Sequence, residues 1–540
     1  MDRAIKKLFS IMLCIIISVC MFTGCEKELP VSLPDYSANT DRFEFFTYTS
    51  PTDGYYYIDG LEYYSGEDFT SVERYKEMLD CGFTMLYLNR KSAIYNDTVW
   101  ETSQAKKSFE NAYKAGFKKI LIVDYRINSI IDTGSTVFDS EKAQNDPAYD
   151  KDPTHYSYPS RDALDAKVKE YMSMYASMPG FYGVVLFDEP RMSKAEIYGE
   201  VYKSLFRVAN EFGINDFYVH SNFLPIGAAT SNYGKACTLE HTEENPASEC
   251  KAGFHSYEQM YRDYMEKFLK ETGMGRISAD TYAFRGAIGL YPGMYPSIQI
   301  LREEATKYNA ELSYCLQSFH YYNGNQESFR RVDKAMMYME MNSLVGFGAS
   351  HFAYYTYMPH PETSVSSGDV GDGSFLTWLG ERTNIWYYGQ QLMKEMQEFA
   401  PVVLSYDFCG SKFYFGDKIQ FGVANHLEST TQKETNTTLR WNNDYEFNKL
   451  KSVKIDNDIA LTTELYDKNN DLYMYMLQNV IDPVKSKIGN TEMSVEADFG
   501  EEYSYVAEFD CGKLRYVPLE NGVYKNNLSA GYAVYLIPLK

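Results

Sequence analysis

The feature that most constrains the fold is a strand pattern and a helix pattern that alternate eight times between residues 43 and 402. Short apolar runs are followed by longer segments whose apolar residues recur at helical spacing. The predicted strands are 43–50, 84–89, 118–126, 181–187, 215–222, 276–284, 310–319 and 350–357. This alternation favours a parallel sheet with helical connections. Eight units predict an α/β fold, a (β/α)8 TIM barrel over residues 43–402. The alternative is an open doubly wound sheet, but no GxGxxG follows an early strand.

After residue 402 the sequence pattern changes. The segments become short and alternate between apolar and polar residues, with turn sequences such as DKNND and ENG between them. This pattern predicts an antiparallel β-sandwich over residues 403–540. A chain of 540 residues is long enough for two domains. We expect the second domain to support the first, and the sequence predicts no chemistry in it.

The N-terminus has the pattern of a secretory signal. A basic start, MDRAIKK, precedes the apolar run LFSIMLCIIISVCMF and then FTGC, which resembles a bacterial lipobox. This predicts a lipoprotein signal peptide over residues 1–24, lipidation of Cys25 and a polar tether over residues 25–42. The predicted location is the cell membrane or outer membrane, where the exported chain is lipid-anchored. An ordinary signal peptide that contains a cysteine is the alternative.

Charge and cysteine spacing exclude several partners. The net charge of -22 argues against nucleic acid, which is bound through clustered basic residues. No CxxC or His/Cys cluster has the spacing of metal ligands, so neither a metal nor a cofactor is predicted. The chain has 50 tyrosines, whose flat faces and polar tips suit surfaces that stack on sugars or bind partners.

The stretch FYGVVLFDEP, residues 181–190, ends an apolar strand on two carboxylates and a proline. In a TIM barrel, the catalytic residues lie at the C-terminal ends of the strands. Asp188 and Glu189 would therefore stand on the rim of a pocket. Pro190 is expected to restrict Glu189 to extended geometry. A carboxylate held there is a candidate general acid or base.

A barrel whose fourth strand ends in Glu-Pro and which precedes a β-sandwich resembles the clan A glycoside hydrolases. The resemblance implies that Glu189 is the acid/base, although Asp188 stands where the clan usually has Asn. It also implies a nucleophilic Glu at the end of the seventh strand, where the sequence CLQSF offers Gln317 instead. An amide cannot form a glycosyl ester. Asp280, at the end of the sixth strand, is the best substitute, and both retention and inversion stay open.

Other polar and aromatic residues at the predicted strand ends could bind sugar hydroxyls or stack on sugar rings. The predicted substrate-binding residues are Asp188, Asp124, His220, Asn222, Tyr282, Gln317, Tyr355 and Trp378. Tyr354 and Tyr357 are further stacking candidates. Purely structural roles are the alternative for the histidines and aspartates, and Asp188 could pair with Arg126.

The predicted function is that of an exported glycoside hydrolase that cleaves an oligo- or polysaccharide with two rim carboxylates. Glu189 would donate a proton, with a pKa raised by burial and by Asp188. Asp280 would be the nucleophile or the base for water. The chief alternative, suggested by Gln317, is a catalytically inactive glycan-binding surface lipoprotein on the same barrel. A structural surface lipoprotein with a protein partner is a third class.

Overall fold

The structure is a computed structural model. It describes residues 32–48, 50–58, 60–226, 228, 255–286, 289–291, 293–323, 326–359, 362–363, 374–416, 443–483 and 491–540. The predicted signal peptide and Cys25 lie outside the described residues. Within those ranges, no helix is both long enough and apolar enough to span a bilayer.

Each of the eight predicted strand segments overlaps an observed strand. The strands up to residue 363 are β1 (Glu44–Thr47), β2 (Tyr55–Ile58), β3 (Leu61–Tyr64), β4 (Leu86–Leu88), β5 (Ile120–Val123), β6 (Phe181–Val185), β7 (Tyr218–His220), β8 (Asn222–Phe223), β9 (Arg276–Asp280), β10 (Phe284–Arg285), β11 (Gly289–Leu290), β12 (Glu311–Gln317), β13 (Tyr321–Asn323), β14 (Gln326–Phe329), β15 (Ala349–Tyr355) and β16 (Glu362–Thr363). The strands that match the prediction are β1, β4, β5, β6, β7, β9, β12 and β15. Of the others, β8 is an edge strand of a parallel sheet, and the rest are short strands in the connecting loops.

Helices follow the parallel strands. They are α1 (Val72–Cys81), α2 (Gln104–Ala115), α3 (Tyr125–Thr133), α4 (Ser140–Asn145), α5 (Arg161–Met172), α6 (Ala195–Glu211), α7 (His255–Thr272), α8 (Met294–Lys307), α9 (Lys334–Gly346) and α10 (Asn384–Val403). Ser71, Ser103, Ser160 and Thr383 begin four of them, and each side chain accepts a hydrogen bond from a backbone N–H of the first turn. Gly82 ends α1 in the left-handed conformation, with φ of 115°.

The parallel strands form two sheets, with the orders β4-β5-β6-β7 and β1-β15-β12-β9-β8. Only Ser221 separates β7 from β8 along the chain. On the other side, the backbone amides of Thr84 and Met85 donate to the carbonyl of Phe45 in β1 at 2.9 and 3.1 Å. The described residues before 404 therefore form a mixed α/β arrangement that contains two parallel sheets.

Both parallel sheets contribute to one inner hydrophobic cluster. Its members on the strands include Phe46 of β1, Leu121 of β5, Val185 of β6, Tyr218 of β7, Cys315 of β12 and Ala353 of β15. A second and much larger cluster lies between the strands and the helices. Strands that are buried on both faces read as continuous apolar runs, which explains the sequence pattern of β5 and β6.

The C-terminal part is antiparallel, in agreement with the sequence pattern. Its strands are β17 (Asp407–Phe415), β18 (Ser452–Ile455), β19 (Ile459–Asp467), β20 (Leu472–Asn479), β21 (Met493–Asp498), β22 (Tyr505–Asp510), β23 (Lys513–Pro518), β24 (Val523–Leu528) and β25 (Ala533–Leu539). They form a sheet of order β17-β19-β20-β25-β22-β23 and another of order β18-β21-β24. Both sheets contribute to one cluster of buried apolar residues.

The six-stranded sheet packs on α9. Gln478 Nε2 in β20 donates to the carbonyl of Met339 at 2.9 Å, and the Tyr535 hydroxyl in β25 donates to the carbonyl of Asn342 at 3.2 Å. The C-terminal strands therefore support the helical layer behind β12 and β15.

Candidate active site

Three carboxyl groups meet at the C-terminal ends of the parallel strands. Asp188 and Glu189 follow β6, and Asp280 is the last residue of β9. Parallel strands end on the same edge, so these residues share one end of the fold. The charges of Glu189 and Asp188 both raise the pKa of Asp280, which places all three within electrostatic reach of one another. We call Asp188, Glu189 and Asp280 the carboxyl cluster.

Glu189 is held in a conformation that the sequence did not indicate. Its φ is 46°, in the left-handed region, so the expectation of extended geometry before Pro190 was wrong. The Glu189 N–H donates to the carbonyl of Asn222 in β8 at 2.8 Å, and the Tyr264 hydroxyl donates to the Pro190 carbonyl at 2.7 Å. These bonds to neighbouring elements offset a local strain of roughly 1–2 kcal/mol.

Asp188 is fixed by a tyrosine. The Tyr48 hydroxyl, just after β1, donates to Asp188 Oδ1 at 2.5 Å. Burial raises the pKa of Asp188 to about 7, the Tyr48 hydrogen bond opposes this, and the charge of Glu189 adds to it. Asp188 and Glu189 nevertheless keep exposed surface. Carboxyl groups that are open to solvent yet closely surrounded by protein are typical of a recess.

Asp280 lies deeper in the carboxyl cluster. It is 5% exposed, and its Oδ1 atom has no hydrogen-bond partner in the described part of the chain. Burial, followed by the charges of Glu189 and Asp188, raises the pKa of Asp280 to about 8, while Tyr282 and Asn222 lower it. Asp280 therefore keeps its proton at neutral pH.

Burial raises the pKa of Glu189. The sequence-based expectation named burial and Asp188 as causes, and Asp188 and Glu189 do lie within electrostatic reach, because the charge of Glu189 raises the pKa of Asp188. The same charge raises the pKa of Asp280. An ionised Glu189 therefore favours the protonated form of both aspartates.

Aromatic side chains line this end of the fold. The ring of Tyr355 lies 5.8 Å from that of Tyr282 and 6.2 Å from that of Tyr48, and Tyr48 contacts Tyr87 at 5.1 Å. Burial and the nearby Asp280 raise the pKa of Tyr282 well above its usual value, so its hydroxyl keeps its proton. Phenol groups of this kind can donate hydrogen bonds to a polar ligand.

Two predicted ligand residues lie beside the carboxyl cluster but are buried. His220 is paired through Nδ1 with the Tyr218 hydroxyl at 2.9 Å, and burial lowers its pKa to about 3, so the ring is neutral. Asn222 Oδ1 accepts from the Ser278 hydroxyl at 3.3 Å. Asn222 contacts the carboxyl cluster in two ways, because its side chain lowers the pKa of Asp280 and its backbone carbonyl accepts from the Glu189 N–H.

The side chains of three other predicted ligand residues contact other parts of the protein. Asp124 is buried, begins α3 and binds Arg126 through Nε at 2.9 Å and Nη2 at 2.7 Å, so Arg126 pairs there rather than with Asp188. Gln317 is buried, and its amide bonds to the backbone of neighbouring loops. Trp378 packs edge-on against Tyr56 at 6.1 Å.

The three aromatic candidates at the end of β15 differ in exposure. Tyr354 and Tyr357 are buried, at 1% and 0% exposure, whereas Tyr355 faces the carboxyl end. Tyr48, which holds Asp188, was not among the predicted site residues. The sequence did contain a signal for this position, because alternation along the first predicted strand puts Tyr48 on the same side as Phe46.

No family model matches the chain, and no curated protein matches it. The solved structures that align with it include glycoside hydrolases. A glycoside hydrolase family 5 protein from Bacteroides vulgatus aligns at 10% identity, over 92% of this chain and 89% of that chain, with a TM-score of 0.44. A glucosidase from Croceicoccus marinus aligns at 8% identity over 93% and 96%, with a TM-score of 0.39. At these values the alignments carry no argument about chemistry, which rests on the geometry above.

Proposed function

We propose that the chain is a glycoside hydrolase that acts on an oligo- or polysaccharide. The observation that carries this proposal is the carboxyl cluster, in which buried Asp280 keeps its proton at neutral pH beside the charge of Glu189. Cleavage of a glycosidic bond needs one protonated and one ionised carboxyl on either side of the bond. Neither a metal nor a cofactor is needed for this mechanism.

The proposed architecture is a (β/α)8 barrel followed by a β-sandwich. The short step from β7 to β8, the hydrogen bonds to the Phe45 carbonyl and the shared inner cluster support closure of the two parallel sheets into one ring. The cluster shared by the two antiparallel sheets supports the sandwich. Closure would direct Asp280 and Glu189 toward a common recess.

In the proposed mechanism, Asp280 donates its proton to the leaving glycosidic oxygen as the bond to the anomeric carbon breaks. The Glu189 carboxylate then either bonds to that carbon or removes a proton from the attacking water. These roles reverse those implied by the resemblance to clan A enzymes, because burial and the charge of Glu189 both hold the proton on Asp280. Asp188, held by Tyr48, supplies negative charge that helps Asp280 to keep its proton.

Leaving-group chemistry tests the assignment of roles. Aryl glycosides with very acidic leaving groups need little protonation, so Asp280→Asn should retain activity on them. On poor leaving groups it should lose activity by a factor of about 10² to 10⁴. Glu189→Gln should lose activity on both kinds of substrate, and Asp80→Asn, an exposed aspartate on α1, is the matched control. If Glu189→Gln retains activity on acidic leaving groups and Asp280→Asn loses activity on both kinds of substrate, Glu189 is the proton donor.

A glycan-binding protein without hydrolytic activity is the second candidate. It is favoured by Gln317, an amide at the end of β12 whose oxygen and nitrogen are both bonded to backbone. If the wild-type protein cleaves no glycoside or polysaccharide but polysaccharides retard it in affinity electrophoresis, this second function is correct.

Export and lipid anchoring belong to the same proposal and rest on the first 25 residues. In a bacterial host, Cys25→Ser should abolish metabolic labelling with a fatty acid and release the chain from the membrane fraction. Unchanged labelling in this variant would contradict the proposed anchor.

A further inference from the structure

Exposed tyrosines are concentrated on the loops that follow β1, β4 and β5. They are Tyr55, Tyr57, Tyr63 and Tyr64 on the β2–β3 hairpin, Tyr95 after β4 and Tyr125 after β5, and each is between 38% and 51% exposed. Tyr63 lies on the opposite face of the hairpin, beside Tyr56. We call the other five residues the tyrosine ridge. Exposed aromatic groups gathered in one place indicate a binding surface, whereas scattered single ones do not.

The hairpin presents three of the rings on one face. Tyr55 lies opposite Tyr64 across the antiparallel pair, and Tyr57 lies opposite Glu62. Alternation along β2 puts Tyr55 and Tyr57 on the same side. The rings of Tyr55 and Tyr64 are 4.7 Å apart, and the Tyr57 hydroxyl donates to Glu62 at 2.6 Å. The face therefore combines flat apolar surface with fixed polar groups at its edge.

Lys91 joins the hairpin to the loop after β4. Its ammonium group lies 4.9 Å from the ring centre of Tyr55 and 5.6 Å from that of Tyr57, and it pairs with Asp53 at 3.2 Å. The ammonium group is thus balanced by a carboxylate, while Glu62 accepts a hydrogen bond from the neutral Tyr57 hydroxyl. A face with one ammonium group between two carboxylates does not favour a polyanion.

Tyr95 and Tyr125 form the second part of the tyrosine ridge. Their rings are stacked at 4.7 Å and 20°. The Ile94 N–H donates to the Val123 carbonyl at 2.9 Å, and the Tyr125 N–H donates to the Ile94 carbonyl at 2.8 Å. Because the backbone fixes both loops next to each other, a ligand would meet rings that are already ordered.

Tyr87 connects this pair to the carboxyl cluster. Its ring lies 5.1 Å from that of Tyr48, which binds Asp188. Burial, then Asp188, then Tyr125 raise the pKa of Tyr87 well above its usual value, so both neighbours lie within electrostatic reach of its hydroxyl. The exposed rings therefore continue outward from the carboxyl cluster.

We propose that the tyrosine ridge binds several successive units of a neutral polysaccharide whose scissile bond lies at the carboxyl cluster. This inference rests on the proposed function and deepens it, because it makes the substrate a polymer that extends across the loops after β5, β4 and β1. Sugar rings present C–H faces that pack on aromatic planes and hydroxyl edges that hydrogen-bond to groups such as Glu62 and Lys91.

Short and long substrates separate the role of the ridge from that of the carboxyl cluster. Tyr95→Ala/Tyr125→Ala and Tyr55→Ala/Tyr64→Ala should each lower kcat/KM on neutral polysaccharides by about 3- to 10-fold per ring, mainly through KM. Both should leave kcat/KM on a small aryl glycoside unchanged. Tyr387→Ala, an exposed tyrosine on α10, is the matched control and should change neither value. Equal losses on short and long substrates, or no loss on any polymer, would overturn the proposal.

Binding measured without turnover distinguishes failure of the ridge from failure of the proposed function. In the Asp280→Asn background, affinity electrophoresis in neutral polysaccharide gels should show retardation that the ridge substitutions remove. If the wild-type protein hydrolyses nothing but shows this retardation, the tyrosine ridge stands and the hydrolase proposal fails. If Asp280→Asn and Glu189→Gln abolish hydrolysis while ridge variants bind and cleave polymers normally, the ridge fails. Ridge substitutions that change only the sedimentation of the chain would identify a protein contact and refute glycan binding.

Discussion

Replacing Asp280 by Asn should change how the stability of the protein depends on pH. The folded structure raises the pKa of this carboxyl from 3.8 to about 8. The fold therefore favours the protonated form, and the unfolded chain releases the proton at much lower pH. The stability that the bound proton contributes is fully present below the unfolded pKa and is lost as pH rises toward 8. Asn cannot ionise and makes no such contribution.

The magnitude follows from proton linkage. Between pH 5 and pH 8 the folded wild type holds nearly one more proton at position 280 than the unfolded chain does. Each pH unit then lowers its unfolding free energy by roughly 1.4 kcal/mol. Relaxation around the charged group reduces the total, so the stability of Asp280→Asn relative to wild type should rise by about 2–4 kcal/mol over this range.

Urea unfolding, followed by intrinsic fluorescence at pH 5, 6, 7 and 8, measures this difference. The unfolding free energy falls roughly linearly with urea concentration, so it can be extrapolated to water at each pH. Asp80→Asn is the control, since the side chain of Asp80 is exposed and its replacement should leave the pH dependence parallel to that of wild type. If the stability difference between Asp280→Asn and wild type is constant, or grows toward acid pH, then burial does not hold the proton and the proposed proton donor loses its physical basis.

Three further substitutions test the packing and charge of the same region. Gly183→Ala should unfold the protein or destabilise it by more than about 3 kcal/mol, because a Cβ there would lie 1.7 Å from the Tyr218 carbonyl oxygen; thermal unfolding measures this. Gln317→Glu should destabilise by about 3 kcal/mol and should not raise activity, because a carboxylate would face backbone carbonyls that now accept from the amide; a gain in hydrolysis would contradict this. Tyr48→Phe should shift the alkaline limb of the pH profile of kcat/KM to lower pH, because Asp188 without this hydroxyl ionises less readily and its charge then raises the pKa of Asp280 less; an unchanged profile would exclude this role.

Much of the framework could be predicted because it depends on local patterns. Buried parallel strands have short apolar runs, and amphipathic helices have apolar residues with a 3.6-residue period. The sequence therefore predicts the order of strands and helices. The same order put Asp188, Glu189 and Asp280 at strand ends. The antiparallel C-terminal strands followed from alternation and turn residues.

Several details were decided by contacts between distant segments. The left-handed turn at Glu189 depends on the carbonyl of Asn222, which belongs to another strand. Gln317 stands at a strand end, where it resembled a ligand, but loops far along the chain bind its amide. A position at the end of a strand shows where the side chain leaves the backbone. It does not show which groups that side chain contacts.

The sequence by itself determined which residues lie at the ends of the parallel strands, because side-chain periodicity is a property of neighbouring residues. Tertiary structure alone decided which carboxyl keeps its proton and which tyrosines are exposed. A pKa depends on burial and on charges brought near by other strands, and exposure depends on what packs above a side chain. Asp280 and the tyrosine ridge could therefore be recognised only once the chain was folded.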